Sequence, residues 1–131
     1  NWLAWTLVTQ HDVDQNDAER AMELATQLMK LEPEEPYVVR TLGAAQYRLG
    51  DYTAAKSSLD KAMRLTNKDR VRMTSCFMLA MTHWQLGDKE QARQDYDQAL
   101  ELMKKFNIPG LQRFKVEAGA VLGMSEREEA R

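Results

Sequence analysis

Two stretches of this 131-residue chain repeat each other, and that repeat limits the available folds more than any other feature. Residues 41–51 align with residues 78–88, so that Leu42 falls on Leu79, Gly43 on Ala80 and Tyr47 on Trp84. The Leu-Gly-Asp of 49–51 falls on that of 86–88, and farther on Ala55, Leu59 and Ala62 fall on Ala92, Tyr96 and Ala99. The offset from Gly50 to Gly87 is 37 residues. A period between about 20 and 50 residues marks an array of stacked supersecondary units, none of which can bury its apolar face alone. Such arrays generally act as binding surfaces and seldom carry chemistry.

Composition narrows the function classes. Eighteen basic residues are balanced by twenty acidic ones, scattered along the chain for a net charge of −2, which argues against a nucleic-acid partner. No apolar run reaches the roughly 18–20 residues that a membrane span requires, so no membrane insertion is expected. The opening residues lack the charged and apolar regions of a signal peptide. One cysteine, Cys76, excludes an internal disulfide framework and fits a reducing, cytoplasmic setting. Asn1 is not a natural start and the first apolar residues enter in mid-pattern, so the sequence reads as a fragment of a longer chain.

Periodicity and punctuation predict seven helices and no strand, an all-α fold. The first covers residues 1–10. A polar loop over 11–17 follows, with Asp17 as expected N-cap of a helix over 18–31 whose Ala21, Leu24, Ala25, Leu28 and Leu31 share a face. Pro36 suits the first turn of a helix over 37–49, which Gly50 closes. Asp51 caps a helix over 52–66, and a fifth runs over 71–86 to Gly87. Asp88 and Gln91 resemble a capping box for a sixth over 89–105. A seventh spans 111–122, and the charged tail from Ser125 is expected to fray.

The pattern of Leu-Gly/Ala, six residues, Gly-Asp, then Ala, an aromatic or Leu four later, and Ala three later resembles the tetratricopeptide repeat (TPR). The resemblance implies a helix–turn–helix solenoid coiled into a right-handed superhelix, with small residues Gly43, Ala55, Ala62, Ala80, Ala92 and Ala99 where the paired helices meet. It divides the chain into a degenerate, N-terminally truncated repeat over 1–35, full repeats over 36–70 and 71–105, a capping helix over 106–123 and a tail over 124–131, all within one array. Gln46 and His83 stand where the family usually has tyrosine, and Asn67 and Lys104 where it usually has proline. The Leu-Ala-Trp opening, long first loop and closing helix resemble TPR modules at the C-termini of large bacterial signalling proteins.

The resemblance also implies a partner-binding groove lined by the first helix of each pair. Matching positions are Trp5, Tyr37, Arg40, Ala44, Tyr47 and Arg48, followed by Phe77, Met78, Met81 and Trp84. An aromatic, methionine-rich surface with two arginines suits a protein or peptide partner, because rigid rings and adaptable thioethers bury area at low entropic cost. The alternative is a structural or self-associating module whose groove is filled by its own packing, with the truncated N-terminal face available to form a homodimer. The chaperone-tail subclass grips a carboxylate with basic and amide residues, but here the matching positions hold Asn1, Trp5, Thr41, Thr74 and Met78, which excludes that role.

Other constellations point to structure. Asp12, Asp14, Asn16 and Glu23 match part of a calcium-loop spacing, yet Asp17 stands where that loop needs glycine. Cys76 and His83 lie two helical turns apart, about 10 Å along the axis, too far for a direct hydrogen bond. No phosphate loop, nucleophile motif or zinc spacing is present. The chain is therefore read as a non-enzyme, with no cofactor and no metal.

Overall fold

The computed structural model describes residues 1–10, 12–108 and 110–124, so His11 and the tail from Ser125 lie outside the described residues. Among the described residues there are seven helices and no strand, as expected. They are α1 (Trp2–Thr9), α2 (Gln15–Leu31), α3 (Pro36–Arg48), α4 (Tyr52–Leu65), α5 (Asp69–Gln85), α6 (Lys89–Lys105) and α7 (Gln112–Val121). The largest departure from the sequence reading is the start of α2, which lies three residues earlier than expected. Asp14, not Asp17, is the N-cap, and its Oδ1 accepts the Asp17 amide at 2.8 Å. Asp17 instead accepts from Gln10 Nε2 at 2.6 Å. Either aspartate can take orphan amides, and the residue that wins is the one whose backbone is extended, as Asp14 is.

Packing divides the chain into two units, Asn1–Asn67 and Lys68–Arg131. In the first, α1 packs on α2 and α3, α2 packs on α3, and α3 pairs with α4. In the second, α5 pairs with α6 and also carries α7.

The repeated residues explain why α3–α4 and α5–α6 are alike. Each first helix ends in a glycine with positive φ, +84° at Gly50 and +88° at Gly87. The following aspartate's amide donates back to the Gln46 or His83 carbonyl, at 2.9 Å in both, which satisfies carbonyls that the ending helix leaves open. The same aspartate then caps the next helix, Asp51 taking the Ala54 amide and Asp88 the Gln91 amide. Two residues thus end one helix, start another and reverse the chain.

Close approach depends on small residues. An added Cβ at Gly43 would lie 2.8 Å from Leu59 Cγ and 3.2 Å from Ser58 Cβ, so α3 and α4 touch through a missing side chain. Ala55, Leu59 and Ala62 of α4 and Ala92, Tyr96 and Ala99 of α6 are all fully buried. Each pair is also tied by a polar bond at the same repeat position: Ser58 Oγ donates to Gln46 Oε1 at 2.7 Å, and 37 residues on His83 Nδ1 lies 2.5 Å from Asp95 Oδ2. Gln91 Nε2 donates to the other oxygen of Asp95.

On the surface, Asp60 pairs with Lys56 and Glu101 with Lys104, both at 3.2 Å. Exposed pairs of this kind contribute only tenths of a kcal/mol, roughly 0.3–0.5.

Candidate functional site

In the first unit, the short α1 brings Trp5 against α3. The Arg40 guanidinium carbon lies 3.6 Å from the centroid of the Trp5 ring and 5.2 Å from that of Tyr37. Arg40 is buried while both rings are half-buried, so a buried cation contacts two partly accessible aromatic residues. Beneath it, Thr41 is buried and its hydroxyl donates to the Tyr37 carbonyl at 2.8 Å. Ala44 is fully buried on the same helix.

Arg48 lies one turn beyond Ala44. Its Nε donates to the Val8 carbonyl at 2.8 Å, which caps the C-terminal end of α1 from a residue 40 positions away. The same guanidinium lies 5.7 Å from the Tyr47 ring, which in turn tilts against Tyr52 at 5.4 Å. Sequence reasoning could not see this tie, because nothing local marks an arginine as the cap of a distant helix.

In the second unit Phe77, Met78 and Met81 are fully buried. The Phe77 ring stands edge-on to Tyr96 of α6, with centroids 5.8 Å apart. Trp84, near the end of α5, is half-buried with the Lys89 ammonium 4.9 Å from its ring. Position 84 repeats position 47, and position 89 repeats position 52, so a ring–ring contact in one repeat becomes a ring–cation contact in the other. Thr74 donates to the Arg70 carbonyl, leaving its hydroxyl engaged within its own helix.

His83 and Asp95 are the residues that sequence reasoning missed as a pair, although the 37-residue offset carries the signal by placing them over Gln46 and Ser58. They are buried in the α5–α6 contact. Burial pushes the Cys76 thiol from its ordinary 9.0 up to about 12, Asp95 adding to the rise and Arg72 opposing it. A thiol held protonated is a poor nucleophile and a poor metal ligand. Among the described residues, no three of His, Cys, Asp and Glu come together as a metal site.

The model of the tetratricopeptide repeat family matches residues 34–105, more than half of the chain. The chain belongs to the tetratricopeptide repeat family. The TPR match covers α3 to α6, the two helix pairs whose turns, caps and small contacts coincide. TPR repeats generally mediate protein–protein contact and are typically non-catalytic. No curated protein matches this TPR chain. No described helix is long and apolar enough to cross a membrane.

Proposed function

We propose that the chain is a non-catalytic scaffold that binds a protein partner through the Trp5–Arg40–Tyr37 cluster of its first unit. The observation that carries this reading is the guanidinium held against two half-buried rings. Contact with the Trp5 ring holds the guanidinium in place, and the two half-buried rings offer apolar contact beside it. This chemistry suits a peptide segment that presents an apolar or aromatic side chain to the two rings. Tyr47 and Arg48 support the cluster by holding the end of α1. In the second unit the complete burial of Phe77, Met78 and Met81 favours the intramolecular alternative, in which those side chains serve packing. The lone buried thiol fits a reducing, cytoplasmic setting, and the sequence resemblance supports a module within a larger bacterial protein.

The test starts with peptides selected from a displayed library on the intact chain, followed by calorimetry against Trp5→Ala and Tyr37→Ala variants that keep the wild-type circular dichroism. Each substitution should weaken the selected peptides at least ten-fold. Equal affinity for all three proteins would remove the cluster from partner binding.

A second reading is favoured by one feature of the first unit. Trp2 is 78% exposed and Leu31 79%, beside a cleft of about 240 Å³ lined by Leu3, Ala4, Leu24, Leu28 and Leu31 among others. Exposed apolar side chains gathered on one face mark an interaction surface. It supports self-association through the α1–α2 face.

A further inference from the structure

The cluster of the first unit is shared between two helices. Tyr37 and Arg40 belong to α3 and Trp5 to α1, so the cluster exists only while α1 is held in one place against α3. Helix α1 has eight residues, fewer than the roughly 12–15 that an isolated helix needs to persist in water, so its neighbours set its place. Ala4 and Val8 are buried, and α1 packs on both α2 and α3. Apolar burial is non-directional: it holds the helix down without fixing its rotation or its axial position.

A hydrogen bond supplies the direction. Arg48 Nε donates at 2.8 Å to the carbonyl of Val8, in the last turn of α1, where a helix leaves its carbonyls open. The charge on the donor strengthens that bond. The same turn is tied to Trp5, whose carbonyl accepts from the Thr9 hydroxyl at 2.8 Å. Arg40 meets it through the Trp5 ring, 3.6 Å from the ring centroid. Arg40 and Arg48 leave α3 eight residues apart, about 12 Å along its axis, yet reach residues of α1 only three apart, about 4.5 Å. Two arginines of one helix thus converge on a single turn of another. Their repeat positions, 37 residues on, hold Phe77 and Gln85, so a helix pair of this kind folds without either arginine.

We propose that Arg48 is the positioning residue of the partner site: its bond to the Val8 carbonyl sets the placement of α1 that brings the Trp5 ring onto Arg40. This rests on the scaffold reading and makes affinity depend on a side chain that acts through α1. A ligand that presses on the Trp5 and Tyr37 rings favours the same placement of α1, so partner binding and the Arg48 bond strengthen each other.

Two substitutions of matched length test the proposal. Arg48→Met reaches as far as Nε but has no donor there. Arg48→Gln places an amide nitrogen, which donates, the same number of bonds from the backbone as Nε. With Trp2→Phe and Trp84→Phe, Trp5 is the one tryptophan left, and acrylamide quenching of its fluorescence reports its placement. In that background Arg48→Met should raise the quenching constant at least two-fold, and Arg48→Gln should match the parent. Unchanged quenching in Arg48→Met, or equal damage from both substitutions, overturns the proposal. In the otherwise unaltered chain, calorimetry should show the library-selected peptides weakened at least ten-fold by Arg48→Met and restored by Arg48→Gln. Raised quenching with unchanged peptide affinity would keep Arg48 as the positioner of Trp5 and overturn the scaffold reading of the cluster instead. Should Arg48→Met lose its circular dichroism, nuclear magnetic resonance on the unaltered chain decides. An Arg48 Nε proton exchanging at least ten-fold more slowly than that of the exposed Arg20 supports the tie, and equal exchange overturns it.

Discussion

Gly43 sets the distance between α3 and α4, and an alanine there would gain helix propensity of about 1 kcal/mol while forcing Leu59 out of its place. Leu59 is fully buried, so the displaced side chain has nowhere to go, and overpacking of this kind costs about 1–3 kcal/mol. Gly43→Ala should therefore lower the melting temperature, by calorimetry, despite its better propensity; an increase would mean that the contact can relax. At the same repeat positions the second pair of helices has Ala80 for Gly43 and Tyr96 for Leu59, both fully buried, so the larger residue is accommodated there with a different neighbour in the sequence pattern. Cys76 offers a second prediction. Its folded pKa is raised, so the folded chain holds the thiol proton to higher pH than the unfolded chain does. Its effect on stability is constant below pH 9, and folding weakens between about pH 9 and 12. Urea midpoints at pH 8.5 and 11 should fall further for the wild type than for Cys76→Ala. In the folded state at pH 8 the thiol should also resist a disulfide reagent.

At the scale of elements, the two polar ties make a sharper comparison. His83→Gln removes the imidazole from Asp95 and leaves a buried carboxylate with Gln91. Removing one member of a buried polar pair costs at least ~2 kcal/mol, whereas replacing both by the pair found in the other repeat restores a satisfied contact. His83→Gln with Asp95→Ser should thus be more stable than His83→Gln alone, and a thermodynamic cycle with zero coupling would contradict the pairing. Much of this level was legible in the chain. The Gly-Asp turns announced where α3 and α5 end and where α4 and α6 begin, because a positive-φ glycine and a capping aspartate are local demands. The start of α2 was misread because Asp14 and Asp17 are equally able to cap, and backbone context decides between them. The Arg40 stack and the Arg48 cap on Val8 were not legible, since both join residues more than thirty apart through contacts that no periodicity encodes.

Across the whole molecule, the α1–α2 face gives the most direct test. Light scattering should report association that grows with concentration for the wild type and is lost in Trp2→Glu with Leu31→Glu. A concentration-independent monomer would leave that face to some other role. Family and helix count were readable because a repeat states its architecture twice. The division into two units at Asn67 was not, because the polar connection there resembles any other loop between helices.

Helix α5 carries one more consequence. Its residues Met73–His83 are buried without a break, so it has almost no polar side to turn toward water. During synthesis it emerges from the ribosome before α6 and α7, which both pack on it. At roughly 5–20 residues per second, the stretch from Gln85 to Val121 takes a few seconds to follow. For that interval a helix of methionines, phenylalanine and leucine lacks the cover of α6 and α7, and it is a segment that a general chaperone would hold. A chain stopped after Lys105 should leave open the part of α5 that α7 covers, taking up a hydrophobic dye and sedimenting as aggregate where the full chain does not. The charge of α6 cannot spare it; only the arrival of the last helices ends the exposure.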